Sequence, residues 1–477
     1  MFKRFYGIYA LAFLILGLFA SNCTQRAEGV DASIIIPEGE KDPAVWGKKY
    51  PNHYDSYLKN SERTKGYSRY RNDNEDRLSP WPFQFILFEG WGMGVEYNEP
   101  NGHTDMLKDQ LLIDAARRKA GGVCLTCKSP YAPILREKMG TDYFKKPYEE
   151  VHAQIPKEHQ KQGVSCADCH DPKTMDLRLS RWTIKEALKA IGKDPDRLTR
   201  QELRSLVCAQ CHVTYSIPKD KEGKSVYVKF PWANGKWGNI SIEGVIKQIK
   251  DENLREWKHK LTDQKIGHIR HPEFELFSSP GSVHWAAGVA CADCHMPYER
   301  VGSEKMSSHR WESPLKKNMK ACMQCHNQSS EWLKEQVFNI QDRVNHMFTK
   351  AGYALASAAL MIEAAEKNPK VDKGQLKKAK GLYEEAYYRN TWIGAENSMG
   401  FHNPPEALRV LGDALDQGRQ AEIFAREIIL KAGAMPPELD IARIDKIVSE
   451  RYLSKDNKTG FKKNVPKKAR LLTEVIR

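Results

Sequence analysis

At 477 residues the chain is long enough for one large domain or two, and at 40% hydrophobic it is lean in apolar side chains for that size, so something other than side chains is expected to fill part of its core. The formal charge of +14 suggests an anionic partner, but Lys and Arg are spread along the sequence without a basic block, which argues against nucleic acid. Beyond the N-terminus no stretch approaches the roughly 20 apolar residues of a membrane-spanning helix. At the N-terminus Lys3 and Arg4 precede an apolar run from Tyr6 to Phe19 and then small polar residues, which reads as a secretory signal over residues 1–23. Cys23 follows Ala20-Ser21-Asn22, where a lipoprotein signal places its lipidated cysteine, although Asn22 suits that cleavage poorly. The mature chain is therefore expected in the periplasm, either released by ordinary cleavage or lipid-anchored through Cys23.

Ten of the eleven cysteines fall into five Cys-x-x-Cys units, and none but Cys23 is left over for a disulfide. The first unit is Cys124-Leu125-Thr126-Cys127-Lys128. The other four end in histidine: Cys166-x-x-Cys169-His170, Cys208-x-x-Cys211-His212, Cys291-x-x-Cys294-His295 and Cys322-x-x-Cys325-His326. This pattern attaches c-type haem: two thiols three positions apart form thioethers to the vinyl groups, and the next residue lies under the iron as an axial ligand. Zinc would need two such pairs per ion, or a pair with a spaced histidine pair, and five units divide badly into such sites. Thioredoxin-like chemistry wants one unit beside a βαβ pattern and gives no reason for the adjacent histidine. Five covalently bound haems follow, and their propionates offset most of the excess positive charge.

Lys128 stands where the other motifs place their iron ligand. A lysine ligates a metal only as the neutral amine, against an unperturbed pKa near 10.4, so its proton must be displaced by the metal in a desolvated site. Electron transfer alone does not require this, and the first haem is expected to be the one that does chemistry. Of the fifteen histidines, eleven lie outside the motifs. His103, His284, His309 and His402 occur in short loop-like contexts and are candidates for sixth ligands, whereas His53, His152, His159, His259 and His346 read as ordinary solvated histidines.

With these motifs in view, the chain closely resembles the ammonia-forming cytochrome c nitrite reductases, pentahaem enzymes whose first haem is bound through Cys-x-x-Cys-Lys. The likeness runs from about Phe83 to about Leu411 in motif order and spacing. It implies a mainly α, multihaem cytochrome c fold with closely packed haems and long C-terminal helices that dimerise. It makes His103 the distal ligand of the third haem, His309 of the second, His284 of the fifth and His402 of the fourth. It also implies an active-site arginine, tyrosine and histidine, matched by Arg117 (or adjacent Arg118), Tyr215 and His271, the last opening His271-Pro272-Glu273-Phe274-Glu275. The chemistry suits nitrite: a guanidinium beside an open iron position attracts an anion, a near-neutral imidazole donates and recovers protons, and a phenol hydrogen-bonds to reduced nitrogen species. Many relatives hold calcium beside this haem through a glutamate and a glutamine at the positions of Thr214 and Arg270, and His268 stands where a lysine is frequent. A hydroxyl and a guanidinium are poor ligands for a hard cation, so the calcium site is expected to be lost, with Arg270 supplying the positive charge.

Past the last motif, Leu333, Val337, Ile340, Val344, Met347, Ala351, Ala354, Ala358 and Met361 form a heptad seam. Asn368-Pro369 stops that helix, and a second runs from about Gln375 to Arg389. Strand-like alternation is scarce. The organisation expected is a signal (1–23), a pentahaem catalytic domain (30–330), a helical region for dimerisation and a distal ligand (331–454), and a basic tail (455–477). The resulting expectation is a respiratory nitrite reductase, homodimeric, supplied with electrons by a membrane quinol-oxidising cytochrome or a soluble multihaem cytochrome. The rivals are a noncatalytic electron-transfer cytochrome and a relative acting on hydroxylamine or sulfite.

Overall fold

Helices begin in this chain where a short polar side chain can satisfy the first free backbone N–H groups, and the computed structural model, which describes residues 30–73, 75–114 and 120–453, shows that rule at most of its long elements. Thr199 accepts from the Glu202 N–H and Glu202 reaches back, a capping box opening α2 (Arg200–Ala209), which follows α1 (Trp182–Ala190). Ser241 opens α3 (Ile242–Asp251) and Ser329 opens α4 (Ser330–Glu366). Asp372 opens α5 (Lys373–Ala395), Asn403 opens α6 (Pro404–Lys431) and Asp440 opens α7 (Ile441–Tyr452). Among the described residues, strands are confined to two antiparallel hairpins, β1 (Trp257–His259) with β2 (Gln264–Ile266) and β3 (Tyr298–Val301) with β4 (Glu304–Ser307). No described helix is long and apolar enough to cross a membrane. The fold is mainly helical.

The long helix and the Asn368-Pro369 stop lie where the periodicity puts them, and α5 extends beyond the expected second stretch at both ends. The heptad seam packs within the chain. Ala351, Ala354, Ala358 and Met361 are fully buried within the single chain, because α4 packs along α6 and α5. Gly418 of α6 sits against Ala354, and a β-carbon at Gly352 would collide with the Phe83 ring, so this helix is gripped on two sides at close range. Only Ile340 and Met347 of the seam are half-buried. The alanine stretch is therefore consumed internally. One apolar core runs from Leu78 through α1 to α3 and on to Val448, joining the C-terminal helices to the motif-bearing half.

The signal region with Cys23, the Arg117–Arg118 pair and the 455–477 tail lie outside the described residues.

Candidate haem and substrate site

A helical turn brings positions n, n+3 and n+4 to one face, and each histidine motif is wound this way: the amides of His170, His212 and His326 donate to the carbonyls of Cys166, Cys208 and Cys322 at 2.9 Å. Cys291–His295 is a short helix of its own. None of the ten motif cysteines is in a disulfide. The motifs converge on a continuous cavity of about 1120 Å³, lined by both cysteines and the histidine of the last four motifs, by Cys127, and by His103, His284, His309 and His402.

Across that cavity the histidines face one another in pairs. Ring centroids are 5.9 Å apart for His103 and His212, 6.1 Å for His170 and His309, 6.4 Å for His284 and His326, and 6.2 Å for His295 and His402. Two imidazoles bound through one metal at about 2 Å each would stand with centroids about 6 Å apart. The ring tautomers are fixed as ligation requires: Nδ1 lies 2.8 Å from the Met175 carbonyl in His170, 3.0 Å from that of Glu312 in His295 and 2.9 Å from that of Ser307 in His309, which frees Nε2. Burial pushes His103 and His309 down to about 3 and His295 to about 4, so these rings are neutral at physiological pH, the form that binds metal. In His402 burial pulls the same way, but the Glu396 carboxylate 2.5 Å from Nδ1 more than reverses it. The residues present fit covalently attached haem: paired thiols at each turn, and facing imidazoles at the spacing of a shared iron.

Around the lysine motif, Lys128 is half-buried and its Nζ donates to the side chain of buried Gln110 on the segment Met106–Leu112. Tyr215 and Cys124 pack against the same secondary core. The Arg270 guanidinium lies over the Tyr215 ring at 4.7 Å. Its Nη1 donates to the backbone carbonyls of Tyr215 (3.0 Å) and His268 (3.3 Å) and to Glu256 Oε1 (2.9 Å), while Nη2 donates to Glu256 Oε2 (2.5 Å). Burial opposes its charge, but Glu256 outweighs that and holds Arg270 protonated. Burial raises the Tyr215 phenol, so it is a neutral hydrogen-bonding group at working pH. Thr214 Oγ accepts from the Arg270 amide at 3.3 Å. His271 is half-exposed (side chain 46%), has a left-handed backbone (φ +48°), and lies 6.1 Å from the His212 ring with Glu273 between the two.

Some of these groups escape sequence reading. Glu256, Gln110 and Glu396 carry no motif signal, because each matters only through what the fold sets beside it. Three histidines also leave their expected class. His259 and His152 are buried, the first bonded to the Ile86 carbonyl and the Tyr383 hydroxyl, the second to the Gln160 carbonyl, and His53 lines the cavity edge-on to His309. Polar neighbours in sequence gave them a solvated appearance that packing overrides.

The Cytochrome c552 family profile matches residues 42–476. A "Cytochrome c-552" of Bacteroides fragilis is 32% identical, with 95% of this chain and 91% of that protein covered. The "Cytochrome c nitrite reductase subunit NrfA" of Nitratidesulfovibrio vulgaris is 31% identical over 90% of this chain and 87% of its own length. Among solved structures, the catalytic subunit of cytochrome c nitrite reductase from Desulfovibrio desulfuricans, described with two calcium sites, superposes with a TM-score of 0.74 at 30% identity, covering 86% of this chain and 91% of that one.

Proposed function

This chain belongs to the cytochrome c552 family of multihaem c-type cytochromes, and from that premise we propose that it reduces nitrite to ammonium at a haem attached through Cys124 and Cys127 and ligated by Lys128. The observation that carries this reading is the contrast among the motifs: four offer a paired histidine across the cavity, while among the described residues the lysine motif has no such histidine and packs instead with a phenol that carries a buried cation over its ring. Haem iron supplies the redox centre and the site where nitrite binds. Cys166, Cys169, Cys208, Cys211, Cys291, Cys294, Cys322 and Cys325 would hold four further haems. His170 with His309, His212 with His103, His295 with His402, and His326 with His284 would be their axial pairs.

Tyr215 would then hydrogen-bond the reduced nitrogen without losing its proton, since burial keeps the phenol neutral. His271, open to solvent on one side, would take up and pass on the protons that the six-electron reaction consumes. Arg117 would orient the anion. The four histidine pairs account for electron delivery, and an exported location behind a 1–23 signal, a homodimer and a cytochrome donor complete the reading. Turnover with nitrite and a viologen dye is expected to give ammonium as sole nitrogen product; gas release would sink the assignment.

The same reading makes the enzyme independent of calcium. Arg270 already donates to the Tyr215 and His268 carbonyls and to Glu256, so the oxygen atoms a hard cation would use are occupied by N–H groups. Treatment with a strong calcium chelator is expected to leave kcat and KM unchanged. Activity that collapses under chelation and returns with calcium would overturn this.

A further inference from the structure

The second variable residue of each of the first three motifs is Thr126, Asp168 or Gln210, and all three meet at one buried arginine. Arg181 opens onto α1 and is 1% exposed. Its Nε donates to the Thr126 carbonyl at 2.6 Å and its Nη2 to the Ser129 carbonyl at 2.9 Å, gripping both sides of Cys127-Lys128. Nη2 also pairs with Asp168 Oδ1 at 2.7 Å, within the second motif. The Arg181 amide donates to Gln210 Oε1 at 2.9 Å, and Gln210 Nε2 returns a bond to the Asp168 carbonyl at 3.1 Å, closing the ring through the third motif. Cys211 Sγ lies 3.4 Å from the Cys127 carbonyl at the same junction. The fourth motif is tied differently: Asp293 binds Arg204 of α2 at 2.6 Å. Thr126, Ser129, Asp168 and Gln210 are all buried, so no water relieves a broken bond here.

We propose that Arg181 is a positioning residue that sets the mutual placement of the first three haem motifs, and thereby the rate at which electrons reach the Lys128 site. This rests on the electron-delivery reading given above. Electron transfer falls steeply with the gap between redox groups, so a clamp that fixes three attachment loops against one another governs flow into the first. Only a planar fork can serve a carboxylate and two carbonyls at once; a lysine keeps the charge but satisfies a smaller set of partners.

The test compares wild type with Arg181→Lys and Asp168→Asn, each checked for haem content by mass spectrometry of haem peptides. Stopped-flow reduction by a viologen, read by haem absorbance without nitrite, is expected to show the slowest phase slowed about tenfold, and kcat for nitrite lowered alike with KM unchanged. Because the reduction phases are read without substrate, they report on the clamp even if the wild type makes no ammonium. A fully haem-loaded Arg181→Lys with wild-type phases overturns the proposal, as does a fall in Tm alone. If the variants lose haem, loss confined to the first three motifs supports the clamp, and loss from all motifs overturns it in favour of a general folding role.

Discussion

Arg270→Met is expected to lower the unfolding free energy by about 3–5 kcal/mol, the cost of leaving a buried charge without its partner. The Glu256 side chain is 0% exposed and takes two of the guanidinium's hydrogen bonds, and methionine would preserve the packing on Tyr215 and Trp91 while removing both. The Tyr215 carbonyl would lose a donor in the same step. Arg270→Lys should fall between, since one ammonium cannot reproduce the fork. Pairing Arg270→Met with Glu256→Gln should recover part of the loss, because the stranded carboxylate is then gone and the two changes are coupled. Denaturant midpoints followed by haem absorbance and by far-UV circular dichroism check this. A loss below about 1 kcal/mol would place the pair among solvent-relieved ion pairs and remove its claim to stand in for a divalent cation.

Lys128→His is expected to lower kcat roughly 10–100-fold with little change in KM for nitrite. The substitution turns Cys124-x-x-Cys127-Lys128 into a fifth copy of the histidine motif, so haem attachment is preserved and only the axial ligand changes. As the proposed ligand, lysine would reach the metal on a flexible four-carbon stem as a small amine. Imidazole is planar and bulkier, and it would lose the bond that Lys128 Nζ makes to Gln110. A haem-replete variant with unchanged kcat would show that the lysine is a tolerated variation with no share in the chemistry.

The helical architecture and the haem chemistry were largely legible in the residues. Cysteine pairs at fixed spacing name their cofactor because attachment is local, and α4 follows from its own periodicity with a proline-containing stop after it. The pairing of His103, His284, His309 and His402 with particular motif histidines entered through resemblance. It could not come from spacing, since His103 and His212 are 109 positions apart and meet only across the cavity. The partner of the alanine seam is hidden from its periodicity for a related reason. A heptad states that a helix face is covered without naming the cover, which here is α6 through its own stripe of Leu411, Ala414, Gly418, Ala421, Ala425 and Ile428. Glu256 was invisible because a carboxylate in a polar stretch looks solvated until the fold closes over it.

The left-handed backbone at His271 has a cost that shows away from the chemistry. A non-glycine residue in that region is strained by about 1 kcal/mol or more, and glycine there would relax it. An imidazole is thus kept at a position where the polypeptide would rest more easily without a side chain. A campaign selecting only for heat resistance would be drawn toward position 271, and the variants it favoured there would survive heating while giving up the proposed proton carrier.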